Sequence, residues 1–269
     1  MKATITSLIF LLLSLTVSSQ TYKYIGIEEG LSNQKIYKIQ KDARGYMWFL
    51  THVGIDQYNG KEIKHYKLRE GNRELDPLLN INWTFLDKTG TLLVTGKQGR
   101  IFRYDSGHDR FVQIYSRYNY WNNDYHAFEK NSYIDKEDNV WRCGNSAIYL
   151  FNIESGQKQR ISNRLGNITC IEQINSEHFF IGTDKRIYLA KLENGNLKEL
   201  SCGKLGMMDM HVHELYLLRT ANKLFIGTFE KGVYIYDLTS QKIVRPGVEV
   251  TDVNITRFCP LSTKELLVA

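Results

Sequence analysis

Apolar residues in this chain come in short runs, separated by turns rich in Gly, Asn and Asp. Within these runs the apolar residues either follow one another directly or alternate with polar ones. Runs of about four to eight residues with this pattern, bounded by turn residues, are typical of β-strands. Helical repeats would instead place apolar residues at i, i+3 and i+4 and would contain few glycines. The pattern therefore predicts an all-β protein.

One strand signal recurs along the chain. The pattern of Met47 to Thr51 returns five times, and the matching runs are centred near residues 48, 93, 141, 180, 225 and 267. An interval of about 44 residues suits one four-stranded blade of a β-propeller. We therefore predict a β-propeller of four-stranded antiparallel blades, with about six blades present and the last one incomplete.

Each repeat has the same internal order of strands and turns. A first strand ends at an Asp that opens a tight turn, as in Asp42-Ala43-Arg44-Gly45, and the recurring run is the second strand. Asp at the first turn position accepts hydrogen bonds from the turn backbone, and Gly at the fourth adopts positive φ. Asp87 and Asp135 open the equivalent turns, with Asp138 in place of Gly in the third. Trp48 and Trp141 hold equivalent positions, which indicates packing between blades.

Composition fits this fold and narrows the function. The chain has 17 Tyr, 12 Phe and 4 Trp but only 3 Pro, and aromatic residues favour strands. Its formal net charge of +6 is spread along the chain without a block of like charges, so a nucleic-acid partner is not supported. Four scattered cysteines do not form a disulfide framework; they are expected to be buried, with one disulfide as the alternative.

The first residues predict export. Lys2 precedes an uncharged apolar run from Ile5 to Val17 that ends at small residues, which is the layout of a secretory signal peptide. The run is too short to span a bilayer comfortably. We predict a signal peptide over residues 1–19, a propeller domain over 20–269 and a periplasmic location. Residues 22–27 read as an additional strand that helps to close a blade.

A known family is similar to this chain from residue 30 onward. The residues that carry the likeness are Gly30-Leu31-Ser32-Asn33, Ile36, Ile39, Asp42, Gly45, Trp48-Phe49, Thr51, Gly54 and Tyr58. This stretch closely resembles the two-component regulator propeller repeat, which builds the exported sensor region of hybrid two-component systems and related histidine kinases in Bacteroidetes. The likeness covers most of the chain after the signal peptide and is weaker after residue 160.

The resemblance implies more than this sequence contains. Such proteins combine two propellers with a β-sandwich, a membrane helix and a histidine kinase, and their typical ligands are carbohydrate breakdown products. The sixth repeat stops inside its second strand, so we expect the chain to be an amino-terminal fragment or a truncated product. Membrane attachment would come only through the missing downstream segments.

The best candidate ligand site is the largest departure from the repeat, between residues 115 and 128. It places aromatic rings among Asn, Asp and Arg, and sugars bind to flat rings beside amide and carboxylate groups. Loops on a rigid scaffold commonly carry function. The predicted ligand-binding residues are Tyr118, Tyr120, Trp121, Tyr125 and His126. The alternative is that this segment only packs on the rim of a blade.

No residues are predicted to be catalytic or to hold a metal or cofactor. His211 and His213 have the alternate spacing of a metal pair on a strand, but no third ligand is identifiable. The repeat register makes Asp42, Asp87 and Asp135 turn residues instead of a glycosidase carboxylate pair.

The sequence therefore predicts a non-enzymatic sensor module that binds an oligosaccharide and signals to a histidine kinase. The sequence is also compatible with a homodimer of this module. A secreted glycan lyase or hydrolase and a protein-binding scaffold are the alternatives.

Overall fold

Five four-stranded antiparallel sheets follow one another along the chain. The computed structural model describes residues 23–76, 83–96, 100–115, 132–144, 147–246, 254–255, 257–260 and 266–268. In each sheet the strands lie in chain order, and first strands of neighbouring sheets contact each other. This arrangement is that of propeller blades, whose first strands line the central axis. The predicted all-β propeller of four-stranded blades is confirmed.

The strands are numbered in chain order. Blade 1 contains β1 (Ile36–Lys41), β2 (Met47–Thr51), β3 (Gly54–Tyr58) and β4 (Ile63–Tyr66). A small hairpin, β5 (Arg69–Glu70) and β6 (Arg73–Glu74), leads to blade 2, which contains β7 (Trp83–Leu86), β8 (Leu92–Thr95), β9 (Ile101–Asp105) and β10 (Arg110–Tyr115). Blade 3 contains β11 (Ser132–Ile134), β12 (Asn139–Cys143), β13 (Ala147–Asn152) and β14 (Lys158–Ser162).

Blades 4 and 5 follow with short 3-10 helices between their strands. Blade 4 contains β15 (Ile168–Gln173), β16 (His178–Thr183), β17 (Ile187–Glu193) and β18 (Asn196–Leu200). A 3-10 helix (Gly203–Met207) leads to blade 5, which contains β19 (Val212–Leu218), a 3-10 turn (Arg219–Ala221), β20 (Lys223–Thr228), β21 (Val233–Asp237) and β22 (Lys242–Val244). The last described pair is β23 (Phe258–Pro260) and β24 (Leu266–Val268).

The blade count agrees in part with the prediction. The described residues form five four-stranded blades, where about six blades with the last one incomplete are predicted. Within the described ranges the sixth repeat is represented by the β23–β24 pair, with Phe258 opposite Val268.

The segment before blade 1 does not form the predicted strand. From residue 23 it runs without regular structure into a turn in which Leu31 N–H donates to the Gly26 carbonyl oxygen at 3.0 Å. Gly26 N–H is held by the Glu29 carboxylate at 2.7 Å, and Gly30 has φ of +107°. These local bonds compete with strand pairing. The prediction of a closing strand over residues 22–27 is therefore wrong for the described part.

Aromatic rings fill the space between blades. Trp48 of blade 1 is 1% exposed, and its ring centroid lies 4.8 Å from that of Tyr104 and 5.8 Å from that of Phe111, both in blade 2. Trp141 of blade 3 lies 4.8 Å from Phe179 of blade 4. Truncating such a buried indole to Ala costs about 3 to 5 kcal/mol. The predicted packing role of these two tryptophans is confirmed.

All four cysteines are free, so the disulfide alternative is wrong. Cys143 and Cys202 are buried, as predicted, and Cys170 is partly buried, while Cys259 is exposed. Burial raises the pKa of the Cys143 thiol to about 12.

Candidate functional site

The three predicted turn aspartates are buried at the ends of β1, β7 and β11. Asp42, Asp87 and Asp135 are 7%, 5% and 5% exposed. In each, Oδ1 accepts two backbone N–H groups of its own turn; for Asp135 these come from Glu137 at 3.0 Å and Asn139 at 2.8 Å. We call these three sites the carboxylate turns.

The second carboxylate oxygen binds a side chain of the same blade. Trp48 Nε1 donates to Asp42 at 2.9 Å, and Trp141 Nε1 donates to Asp135 at 2.7 Å. Blade 2 has Leu93 at the equivalent position, and there Arg103 forms an ion pair with Asp87 at 2.7 Å. Each carboxylate oxygen therefore has a hydrogen-bond or ion-pair partner, although Asp87 Oδ2 has the ion pair with Arg103 and no hydrogen bond. Buried charges need such partners.

Successive turns also bind each other. Ala43 N–H donates to the Gly90 carbonyl oxygen at 3.1 Å, and Lys88 N–H donates to Asp138 Oδ1 at 2.7 Å. A Cβ added at Gly90, where φ is +75°, would lie 2.6 Å from the Ala43 Cβ. Asp138, in the predicted Gly position, has φ of 62°. These contacts lock blades 1 to 3 together and leave no carboxylate pair for glycoside hydrolysis in these turns.

Ser32 and His65 both contact Asp56 of blade 1, but the three residues do not form a catalytic arrangement. Ser32 Oγ donates to Asp56 Oδ2 at 2.8 Å, and His65 Nδ1 lies 2.8 Å from Asp56 Oδ1. A nucleophile must hydrogen-bond to its base. Here both side chains bind the fully buried Asp56 instead, and Ser32 N–H also donates to it at 2.8 Å. The group is a clamp that fastens the Gly30–Asn33 leader onto blade 1.

Side chains of one blade cap the inner edge of the next. Lys38 Nζ donates to the Thr84 carbonyl oxygen at 2.5 Å, and Thr169 Oγ1 donates to the Val212 carbonyl oxygen at 2.6 Å. The first strand of a blade has one edge without a strand partner, and its backbone groups need other partners. The inner strands therefore hold polar side chains close to the axis.

A charged and aromatic cluster forms where these inner strands converge. We name it the axial cluster, and it consists of Lys38, Trp83, Phe85, Glu214 and Arg257. The Lys38 ammonium lies 4.8 Å from the centroids of both aromatic rings, and the Arg257 guanidinium carbon lies 5.1 Å from that of Trp83. Arg257 Nη1 donates to both Glu214 oxygens at 3.2 and 3.3 Å. Residues from blades 1, 2 and 5 and from the segment before β23 thus meet at one place.

Burial and mutual repulsion perturb the charges of this cluster. Desolvation and the nearby Arg257 lower the pKa of Lys38 to about 7, while Glu214 opposes this shift. Burial raises the pKa of Glu214 although Arg257 lowers it. Next to it, burial raises the pKa of Glu172 to about 7, against the attraction of Arg219, whose nitrogen lies 3.7 Å from the carboxylate. Perturbed pKa values in a group of neighbouring charges make that group a candidate functional site.

The sequence did not single out this cluster. Trp83 and Phe85 share β7, but the charged members Lys38, Glu214 and Arg257 each lie in a different repeat. Aligning the repeats and marking charged residues on first strands would have found Lys38, Glu172 and Glu214, since first strands share the axis.

The predicted ligand residues Tyr118, Tyr120, Trp121, Tyr125 and His126 lie outside the described residues, as does the predicted signal peptide. The described flanks of that segment are Tyr115, which ends β10, and Ser132, which begins β11. Tyr115 is a buried strand residue packed on Phe151, with centroids 4.4 Å apart.

The His211 and His213 rings lie 5.6 Å apart, and both contact the Phe229 ring. Within the described ranges no group of three or more His, Cys, Asp or Glu is placed to hold a metal ion. The helices of the same ranges include none long and apolar enough to cross a bilayer.

The fold defines a class of protein, a β-propeller of four-stranded antiparallel blades. Residues 30–52, which include the leader, β1, the first carboxylate turn and β2, match the family described as two component regulator propeller. This match over residues 30–52 confirms the likeness noted in the sequence. No curated protein matches the chain in sequence.

Solved structures match the fold over most of this chain. The extracellular domain of the hybrid two component system BT4673 from B. thetaiotaomicron aligns with a TM-score of 0.63 and 15% identity, over 92% of this chain and 32% of that one. That of BT3049 from the same organism aligns with a TM-score of 0.54 and 15% identity, over 88% of this chain and 39% of that one.

A propeller with another description also matches. The β-propeller domain of Cps50 (Swd1) from Myceliophteria thermophila aligns with a TM-score of 0.52 and 13% identity, over 75% of this chain and 63% of that one. At these identities the likeness shows the fold alone. The chain spans about a third of the length of the BT4673 domain, at 32%.

Proposed function

We propose that this chain is an extracytoplasmic ligand-sensing propeller module of a two-component system. It binds an oligosaccharide and passes the signal to a histidine kinase of the same system. The observation that carries the proposal is the family match over residues 30–52, whose leader and turn are the parts that the fold uses as fasteners. The extracellular sensor domains among its structural neighbours support the same class and an extracytoplasmic location.

A rigid frame suits this role. The carboxylate turns and the Asp56 clamp hold blades 1 to 3 and the leader through buried hydrogen bonds. Binding residues on loops are positioned best by a frame that does not deform. We propose that the loop residues Tyr118, Tyr120, Trp121, Tyr125 and His126 supply aromatic faces and polar groups for a sugar.

An enzymatic role has less support in the described residues. A glycosidase needs two free carboxyl groups on either side of the scissile bond. Asp42, Asp87 and Asp135 are each committed to their own turn. The Ser32 hydroxyl donates to the buried Asp56 carboxylate, and His65 binds the other oxygen of Asp56 instead of Ser32.

A thermal-shift screen of the chain against neutral and acidic oligosaccharides tests this function. A ligand that binds only the folded state adds about 2.7 kcal/mol of stability at 100 times its Kd. We expect one glycan class to raise the Tm, and we expect Trp121→Ala to abolish that rise. Tyr24→Ala is the matched control, because Tyr24 is an aromatic residue that is 74% exposed outside the loop. A folded protein whose Tm is unchanged by every glycan would contradict the proposal.

A further inference from the structure

The axial cluster combines two cations with one carboxylate. Arg257 is paired with Glu214, and the donors used are those of Nη1. Lys38 donates to a neutral carbonyl oxygen of Thr84 and lies between two aromatic rings. Among the described residues no carboxylate lies within 4.0 Å of the Lys38 ammonium. Among the described residues, Arg257 is thus paired with a carboxylate, whereas the Lys38 ammonium, when protonated, is not.

This imbalance is unfavourable in the protein alone. A buried charge needs a partner of opposite sign or it loses stability. The pKa of Lys38 is lowered to about 7 by this burial and by Arg257, which is the response expected of an uncompensated ammonium. An anion bound between Lys38 and Arg257 would supply the missing charge.

The cluster is accessible to solvent at Arg257 and, in part, at Glu214. The side chain of Arg257 is 41% exposed and that of Glu214 is 24% exposed. The planar guanidinium group presents further N–H donors in a fork that matches a carboxylate.

We propose that the axial cluster is an anion site that binds the carboxylate of an acidic sugar through Lys38 and Arg257. This inference rests on the proposed sensing function and narrows its ligand to glycans that contain uronic acids. With Lys38 protonated, its one unpaired positive charge matches a monoanionic carboxylate. Glu214 holds Arg257 in position and disfavours more highly charged anions.

Isothermal titration calorimetry with trigalacturonate and with the matching neutral galactose trisaccharide tests the site. We expect the wild-type chain to bind trigalacturonate more tightly than the neutral sugar. Lys38→Met and Arg257→Gln should each raise the Kd at least about tenfold, since each removes a charge-assisted hydrogen bond. Lys41→Met is the matched control, because Lys41 is an exposed lysine on the same strand and should leave the Kd unchanged.

Two further measurements distinguish a loss of binding from a loss of folding. Circular dichroism checks each variant, and Lys38→Arg, which keeps the charge, should retain most of the binding. Trigalacturonate binding that survives both Lys38→Met and Arg257→Gln would overturn the site and leave the sensing function in place. Tighter binding of the neutral trisaccharide, or of its sulfated form, would overturn the carboxylate assignment alone. The absence of any glycan binding would contradict both this inference and the proposed function.

Discussion

Two regions of the molecule bury charge in opposite ways. In the carboxylate turns, Asp42, Asp87 and Asp135 are almost fully buried, and every oxygen has hydrogen-bond or ion-pair partners within its own blade. In the axial cluster, Lys38 and Arg257 share a single carboxylate. The buried charges of the carboxylate turns have partners within the fold. The Lys38 ammonium of the axial cluster contacts a neutral carbonyl oxygen and no carboxylate among the described residues.

On our proposal, this difference separates residues that stabilise the fold from residues that bind a ligand. A fold that satisfies a buried charge uses it as a fastener, and removing it is costly. Natural proteins leave a buried charge without a partner mainly at functional sites, and other interactions of the fold offset the lost stability. Substitutions in the two regions should therefore have opposite effects on stability.

The largest expected effect is at Asp135. Asp135→Ala leaves the indole N–H of Trp141 and two turn N–H groups without their acceptor in a buried site. We expect a loss of about 3 kcal/mol in the free energy of unfolding, measured by urea denaturation. Asp237→Ala is the matched control, since Asp237 accepts the same kind of turn N–H bonds at the surface. A loss no greater than that of the control would show that burial of the turn carboxylate is unimportant.

The free energy of unfolding should have a minimum near neutral pH, because of Lys38 of the axial cluster and the neighbouring Glu172. The pKa of Glu172 is raised to about 7, so the folded state binds protons more tightly there and stability falls as pH rises from about 4.5 through 7. The pKa of Lys38 is lowered to about 7, so stability rises again from pH 7 towards 10.5. Arg219, Lys136 and Glu214 act on Glu172, and Arg257 and Glu214 act on Lys38.

This minimum is measured by chemical unfolding at a series of pH values. We expect a depth of about 1 to 3 kcal/mol. Glu172→Gln should remove the acidic limb and Lys38→Met the basic one. Stability that rises steadily from pH 5 to 7 in the wild type would contradict the direction of the Glu172 shift.

A half-exposed carboxylate between blades should have an intermediate effect. Tyr66 of blade 1 and Tyr104 of blade 2 donate to Asp109 Oδ1 at 2.6 and 2.7 Å, and Lys64 forms an ion pair with the same carboxylate. Asp109→Asn keeps a residue that tolerates the φ of 50° but removes the charge. We expect a loss of about 1 kcal/mol by thermal denaturation. An unchanged Tm for Asp109→Asn and for Tyr66→Phe would show that these hydrogen bonds do not stabilise the fold.

The smallest effect is expected at Asn175, which opens the equivalent turn of blade 4. Its Oδ1 accepts N–H bonds from Glu177 and His178 at 3.1 and 3.0 Å, but the site is exposed. Asn175→Ala should cost about 0.5 to 1 kcal/mol. A loss as large as that of Asp135→Ala would remove the distinction between buried and exposed turns.

Local chemistry explains what the sequence could predict. The turn role of Asp42, Asp87 and Asp135, the packing of Trp48 and Trp141 and the strand order of a blade follow from short spacings, and all are present in the structure. Blades 4 and 5 replace the carboxylate turn with Asn175 and with a 3-10 turn at Arg219–Ala221, which is why the likeness fades after residue 160.

The rest depends on contacts that no local pattern encodes. Trp83 and Arg257 are separated by most of the chain and meet only because the blades curl around an axis. The alternation in residues 22–27 resembles a strand, but the bond from Gly26 to Glu29 and the left-handed Gly30 turn the chain instead.

The most direct test of the contrast between the two regions is the unfolding free energy of Lys38→Met at pH 6, where Lys38 is charged. Met keeps the apolar stem between Trp83 and Phe85 and removes the uncompensated ammonium. Replacing a buried charge with an apolar residue of similar volume is often neutral or stabilising. We expect a variant at least as stable as the wild type, within about 1 kcal/mol. A loss of about 3 kcal/mol, as expected for Asp135→Ala, would show that Lys38 is a fastener of the fold and contradict its role in binding.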